Sequence, residues 1–219
     1  YTTDGSSPLT NNGSPSANAT AYTNPIRISK TTVIRSAATA NNFTPSPWEA
    51  HTYLLLDIDN AKANGTDSNG LNNPILQQTR PAGYGTFPSG DYNMDTRITR
   101  STAPSPGHNG LTIAQAMLQG FKETPSISIS MPAADFVNLY SNSTSQGLER
   151  GCSAEFIPAE NDSRPAFQEH CGLKVQGGAS RNPSSSPKHS LSFRFRTEYG
   201  AGLLGQVLFP EVNIENFNS

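Results

Sequence analysis

Two stretches of alternating apolar and polar residues occupy residues 171–200 (CGLKVQGGASRNPSSSPKHSLSFRFRTEYG), separated by a glycine pair and a Ser/Pro-rich loop. Alternation with a period of two places successive side chains on opposite faces of a β-strand. Leu173 and Val175 mark the apolar face of the first stretch, and Gly177 and Gly178 end it because glycine tolerates positive φ. The pattern predicts a strand–loop–strand unit with one face in a protein core.

The second stretch has a polar face that is positively charged. Four cations fall within sixteen residues of the loop and the second strand: Arg181, Lys188, Arg194 and Arg196. A run of charges is most often a solvated face, and that interpretation stays open. The alternative is a platform that binds an anion, where the glycine pair lets backbone N–H groups approach the ligand closely.

The two cysteines flank a second pair of predicted strands, at residues 153–157 and 167–175, which a polar loop joins. Antiparallel pairing of these strands would bring Cys152 and Cys171 together. A disulfide between them would close a loop of roughly 20 residues and contribute about 3 kcal/mol, and it would fit an oxidising compartment. Two buried free thiols are the alternative, because cysteine is also a frequent core residue.

The rest of the chain predicts an α+β, β-rich fold with one or two short helices. Its further elements are a strand at 52–56, a helix at 111–120 with Gly120 as C-cap, a strand at 126–131 with one solvated face, and a short helical turn at 133–140. Residues 61–90 are rich in Asn, Gly and Pro without periodicity, which predicts a long surface excursion.

Composition excludes several classes of function. The net charge of −2 argues against a nucleic-acid-binding domain, and no apolar run approaches the ~20 residues that span a bilayer. The sequence has neither a P-loop nor a dinucleotide fingerprint. Gly178-Ala179-Ser180 is not a serine-hydrolase elbow, because Asn182 stands where that motif needs glycine.

No catalytic residue and no metal site is assigned from the sequence. Acidic and histidine side chains are scattered, without the spacing of a metal-binding helix. Asp91, Asn93 and Asp95 match the start of a calcium loop but lack its later glycine and glutamate, which excludes an EF-hand and leaves a cation site of another type open. Asp57 and Asp59 share one face at a predicted strand end, where a turn is the commoner role. The four histidines are interpreted as structural or solvated: His51, His108, His170 and His189.

Five blocks in order, the last of them in two parts, resemble the CotH family, the spore-coat-type atypical protein kinases and their extracellular relatives. They are HTYLLLDID (51–59), GDYNMDTRIT (90–99), TPSISISMPAADF (124–136), GLERGCSAEFI (147–157), GLKVQGGASR (172–181) and PKHSLSFRFRTEYG (187–200). The chain departs from the family pattern at Gly151 and Cys152, where relatives usually carry Pro-Val, and at Ser192 in the basic strand.

The opening of the chain carries a second resemblance. YTTDGSSP (1–8) and NPIRISKTTVIRSAA (24–38) are similar to the chitobiase C-terminal type of β-sandwich, an immunoglobulin-like module. The Asp4–Gly5 turn and the β-branched residues of the second block are typical of strands in such a module. The predicted organisation is therefore an incomplete sandwich at 1–39, a linker at 40–50 and the N-terminal part of a CotH-like region at 51–219.

The CotH resemblance implies a nucleotide site, with ATP and Mg²⁺ as cofactors. In that reading Lys188 contacts phosphate, Arg181 assists it, and Gly177 and Gly178 line the approach. The aspartates of a second kinase lobe are expected beyond Ser219, so the given chain is expected not to complete phosphoryl transfer alone.

These resemblances imply a fragment of a secreted or cell-surface bacterial multidomain protein. Its partner would be a protein phosphoacceptor if it belongs to a kinase. The competing function is a non-catalytic surface module that binds protein or a cell-surface polysaccharide, favoured by the sandwich and by the polar, Asn-rich loops. The sequence leaves the oligomeric state open.

Overall fold

The computed structural model describes residues 1–28, 32–54, 101–186, 188–212 and 216–217. The helices and longer strands within them are β1 (Thr32–Ser36), β2 (Glu49–Tyr53), α1 (Ile113–Glu123), β3 (Ser126–Ser130), α2 (Ala133–Ser141), β4 (Arg150–Ile157), β5 (Phe167–Gln176) and β6 (Ser190–Arg194). The predicted class, β-rich α+β with short helices, is confirmed.

The strands form two antiparallel sheets. β1 pairs with β2, and Thr2 adds an isolated bridge to Arg35 on the other side of β1. The larger sheet has the order β3-β4-β5-β6, so each strand pairs with the next along the chain. The strands predicted at 153–157 and 167–175 are confirmed as parts of β4 and β5, and their antiparallel pairing is confirmed as well.

Helix α1 begins and ends differently from its prediction. Thr112 is the N-cap and forms a capping box with Gln115, which satisfies N–H groups that have no helical partner. Gly120 lies inside the helix, and the predicted C-cap was wrong because Thr124 occupies that position. Pro125 follows directly, and the residue before a proline is driven out of the helical region, which sets the end of the helix.

One face of the four-stranded sheet is the core of the molecule, and we call it the apolar face. The buried core cluster consists of Met131, Leu139, Cys152, Ala154, Cys171, Leu173, Val175, Phe195 and Leu204. Helix α2 contributes Leu139, and the segment after β6 contributes Leu204. The alternation predicted for residues 171–176 is confirmed, since Leu173 and Val175 are buried and Gln176 is exposed.

The serine side of β3 packs against β1 and β2. The hydroxyl of Ser128 accepts a hydrogen bond from Thr52 at 2.6 Å, and that of Ser130 accepts one from Arg35 Nε at 2.9 Å. Ile127, on the opposite side of the strand, is 49% exposed. The serines belong to the second face of the sheet, the polar face, and β1 and β2 pack against it.

Arg35 is the centre of this contact between the sheets and is only 1% exposed. Its Nη1 donates to the Gly5 carbonyl at 2.9 Å, and its guanidinium lies 4.2 Å from the centre of the Trp48 ring. The ring of His170 meets Trp48 edge to face at 4.5 Å, and its Nε2 donates to the Trp48 carbonyl at 2.7 Å. Residues 1–53, the N-terminal segment, are thus joined to the large sheet through a polar interface.

The predicted linker and the second predicted helix differ in part from the structure. The predicted linker at 40–50 contains Trp48, and its last two residues are the first two of β2. Helix α2 is a nine-residue helix where a single helical turn was predicted. No helix in the described ranges has the length and apolar character needed to cross a bilayer. Asp57, Asp59, Asp91, Asn93 and Asp95 lie outside the described residues, as do 29–31 and the excursion at 61–90.

Candidate functional site

The loop between β5 and β6, residues 177–189, is shaped by its glycines, and we call it the glycine loop. Gly177 has φ +124°, a conformation that side chains with a Cβ rarely adopt. A Cβ placed there would also lie 2.3 Å from the Ser180 hydroxyl. Gly178 then caps a short 3₁₀ turn, Ala179–Arg181. The prediction that Gly177 permits positive φ at the end of β5 is confirmed, and Gly178 has φ −103°.

The glycine loop folds back on itself and is fastened to α2. His189 Nδ1 donates to the Ser180 carbonyl at 3.0 Å, which closes the loop near its base. The His189 ring packs 5.2 Å from that of Tyr140 in α2. The Ser143 hydroxyl, just past α2, donates to the Arg181 carbonyl at 2.7 Å. The loop conformation is therefore set by contacts with α2 as well as by its own sequence.

Two of the predicted cations belong to this loop and differ in exposure. Arg181 is 8% exposed, and its Nε has no hydrogen-bond partner among the described residues. Lys188 is exposed. Arg181 follows Ser180 in the chain, and Lys188 precedes His189. The hydrogen bond from His189 to Ser180 therefore holds the two cationic positions on one small loop. A buried guanidinium N–H without a partner is costly, which favours a site that accepts an anionic or carbonyl oxygen.

The other two cations are not part of the same cluster. Arg194 ends β6, four residues from Ser190, which corresponds to about 13 Å along a strand. Arg196 Nε lies 3.2 Å from Glu149 Oε1, so it is paired with a carboxylate. The four cations, although close in sequence, are therefore divided, and Arg181 and Lys188 are the two that share the loop.

A pair of glycines leaves room for an aromatic ring beside Arg196. Gly151 and Gly172 are direct neighbours across β4 and β5. The ring of Tyr199 covers them so closely that a Cβ on Gly172 would lie 2.7 Å from Tyr199 Cε2. Burial raises the pKa of the Tyr199 hydroxyl, with the Glu198 and Glu149 carboxylates adding to the effect. Gly151 thus has a packing role.

An apolar groove of about 700 Å³ opens beside the base of the glycine loop. Gln176, the last residue of β5, and Leu191, near the start of β6, both line it. Aromatic side chains supply much of the remaining wall: Phe156, Phe167, Phe193, Phe195, Phe209 and Phe217. A flat apolar ligand group bound there would have the cationic loop at one end.

The N-terminal segment carries a separate cleft of about 940 Å³. Three tyrosines line it, Tyr1, Tyr22 and Tyr53, of which Tyr22 is 70% and Tyr53 47% exposed. Glu49 and His51 lie in the same wall, with His51 Nε2 3.7 Å from Glu49 Oε2. Exposed aromatic rings beside hydrogen-bonding groups suit a ligand that has both an apolar face and hydroxyl groups.

The remaining predicted residues have structural contacts. Cys152 and Cys171 lie opposite each other in β4 and β5 with free thiols, Sγ to Sγ 3.6 Å. His108 lies 3.4 Å from the Ser105 hydroxyl on the surface. Across the described part of the chain, no group of three or more His, Cys, Asp or Glu residues could hold a metal ion.

One further side-chain pair has no signal in the sequence. Arg164 binds both carboxylate oxygens of Asp162, and its guanidinium lies 4.8 Å from the centre of the Phe156 ring. These hydrogen bonds hold the pKa of Asp162 below its usual value. The pair borders a pocket of about 580 Å³ together with Glu123 and Glu211. Only the folded loop brings these residues together, so no motif could have identified them.

Comparison with known families identifies the N-terminal segment alone. Residues 1–53 match the family model described as Fn3 associated, and the match ends at Tyr53, the last residue of β2. This agrees with the predicted β-sandwich character of the start of the chain. No curated protein and no solved structure is significantly similar to the chain.

Proposed function

We propose that the glycine loop binds the phosphate groups of a nucleotide, and that residues 101–217 contribute the nucleotide-binding part of a CotH-like atypical kinase. The observation that carries the proposal is the buried Arg181 Nε, which lacks a partner among the described residues. The CotH-like blocks at 172–181 and 187–200 span the same loop, and they point to ATP with Mg²⁺ as the ligand.

The shape next to the loop fits such a ligand. A nucleotide joins a flat base to a chain of phosphates. The aromatic groove starts at Gln176 and Leu191, where the glycine loop begins and ends. Lys188 is exposed and can reach a phosphate from solvent, while Gly177 keeps the backbone free of side-chain bulk. To bind a nucleotide, this part of the chain needs to supply only cations, backbone N–H groups and an apolar wall.

Replacing Lys188 with alanine is expected to weaken ATP binding about tenfold, because a charge-assisted hydrogen bond to phosphate is lost. Titration calorimetry with Mg-ATP measures this directly, and competition by tripolyphosphate tests whether the phosphates are what the loop binds. Lys122→Ala is the matched control, since Lys122 pairs with Glu160 at 3.4 Å and neither residue lines the groove. Absence of ATP binding, or equal affinity in both variants, contradicts the proposal.

A second candidate function is binding of a cell-surface polysaccharide by the N-terminal segment. The tyrosine-lined cleft favours it, because the apolar face of a sugar ring stacks on aromatic rings while its hydroxyls bond to groups such as Glu49 and His51. The two candidate functions use different parts of the chain, so they are separable by experiment.

Tyr22→Ala is expected to weaken retention on insoluble polysaccharide about fivefold, since one stacking platform is removed. Depletion assays with chitin, cellulose and peptidoglycan give the measurement. Phe43→Ala is the control, because Phe43 is 76% exposed in the same segment but does not line the cleft. Equal loss in both variants, or no retention of the unmodified chain on any of the three polymers, rules out this function for the cleft.

A further inference from the structure

The cysteine pair occupies the centre of the four-stranded sheet. Cys152 and Cys171 are direct cross-strand partners on the apolar face, 2% and 0% exposed, with 3.6 Å between their Sγ atoms. Helix α2 and the segment after β6 cover this face, through Leu139 and Leu204.

The geometry of this pair allows a covalent bond. Directly opposite residues in antiparallel strands have Cα atoms about 4.5 or 5.5 Å apart, depending on the type of pair, and both values lie within the range of disulfides. Bond formation needs the sulfurs to move from 3.6 Å to about 2.05 Å, which side-chain rotation and a small strand adjustment can supply. The two thiols are in direct contact.

The finished fold protects these thiols from reagents. The hydrogen bond to Cys171 and burial both raise the pKa of Cys152, which disfavours the reactive thiolate. An oxidant also has no path to side chains with almost no exposed surface. The reaction must therefore take place before α2 and the later segment close over the sheet.

We propose that Cys152 and Cys171 form an intrachain disulfide during folding in an oxidising compartment, which locks the register of β4 against β5. The thiolate of one cysteine attacks an external disulfide, such as oxidised glutathione, and expels one thiolate while a mixed disulfide forms. The second cysteine then attacks that mixed disulfide and expels the other. Two protons and two electrons pass to the external disulfide, which becomes two thiols.

Refolding the full chain with oxidised and reduced glutathione tests the inference. We expect a product about 2 Da lighter than the reduced chain, with no cysteine open to alkylation after denaturation. We expect its melting temperature to exceed that of the reduced chain by about 6–12 °C, since a closed loop of this length restricts the unfolded chain. The double variant Cys152→Ala with Cys171→Ala should melt at the same temperature with and without reductant.

Three outcomes overturn the inference. The first is that both thiols remain open to alkylation after refolding under oxidant. The second is that disulfide-linked dimers form, which reductant dissociates. The third is that the oxidised monomer melts at a temperature no higher than that of the reduced one. The mass and alkylation measurements use the unmodified chain, so they decide the matter even if the double variant folds poorly.

Discussion

Arg35→Ala is expected to lower the free energy of unfolding by about 3–5 kcal/mol and to release the N-terminal segment before the large sheet unfolds. Arg35 is 1% exposed and donates to both Ser130 and the Gly5 carbonyl. Each hydrogen bond from a charged donor contributes about 1.5–3 kcal/mol, and alanine also leaves a cavity beside the Trp48 ring.

The single tryptophan of the chain reports on this interface. Trp48 lies between Arg35 and His170, so its fluorescence follows the contact between the N-terminal segment and the sheet. Far-UV circular dichroism follows the strands as a whole. In urea, the fluorescence transition of Arg35→Ala is expected at lower denaturant than the dichroism transition, whereas the two coincide in the unmodified chain.

Arg27→Ala provides the matched control, because Arg27 is an exposed arginine of the same segment. Surface substitutions of this kind usually change stability by less than about 0.5 kcal/mol. A result for Arg35→Ala no larger than that of Arg27→Ala would mean that the buried guanidinium does not hold the segment in place.

Local alternation predicted the strands around the glycine loop well. Alternation fixes which side chains share a face, and for β5 it separated Leu173 and Val175 from their polar neighbours. The two strands predicted beside the cysteines pair antiparallel, which brings Cys152 opposite Cys171. These features depend on neighbours within a few residues or on adjacent strands, which is the range that a sequence pattern describes.

The polar face could not be predicted in the same way. A pattern of apolar and polar residues assigns serines and arginines to solvent, yet Arg35 and Ser130 meet in a buried contact 95 residues apart in sequence. Nothing near either residue signals the partner. The prediction of Gly120 as the C-cap was wrong for a related reason. The helix ends at Thr124, in front of Pro125, and the glycine has no capping role.

The candidate site was predictable in its backbone but not in its charge distribution. The glycine pair predicted the turn after β5, and Gly177 has the expected positive φ. The Ser143 hydroxyl, just past α2, donates to the Arg181 carbonyl, and Arg181 itself is buried. Neither that contact nor the pairing of Arg196 with Glu149 follows from spacing, so the sequence could not show that four cations close in the chain do not form one cluster.

Leu173→Ala is expected to destabilise the chain by about 3 kcal/mol, with the opposite spectroscopic signature to Arg35→Ala. Leu173 is 0% exposed in β5 and pairs with Arg150 on one side and Phe193 on the other. Truncating a fully buried leucine removes apolar contacts and leaves a cavity that neighbouring strands fill only in part.

Both the Trp48 fluorescence and the dichroism transition are expected to shift together in Leu173→Ala. Strands β1 and β2 form a two-stranded sheet in the described part of the N-terminal segment, and such a small sheet is marginally stable unless it packs against another element. When the large sheet unfolds, the polar face that holds Trp48 is lost with it.

Leu203→Ala removes the same atoms from a side chain that is 51% exposed, so it should leave both transitions in place. If Leu173→Ala moved the dichroism transition and left the fluorescence transition unchanged, the N-terminal segment would be an independently folding domain, and its polar interface with the sheet would not couple the two.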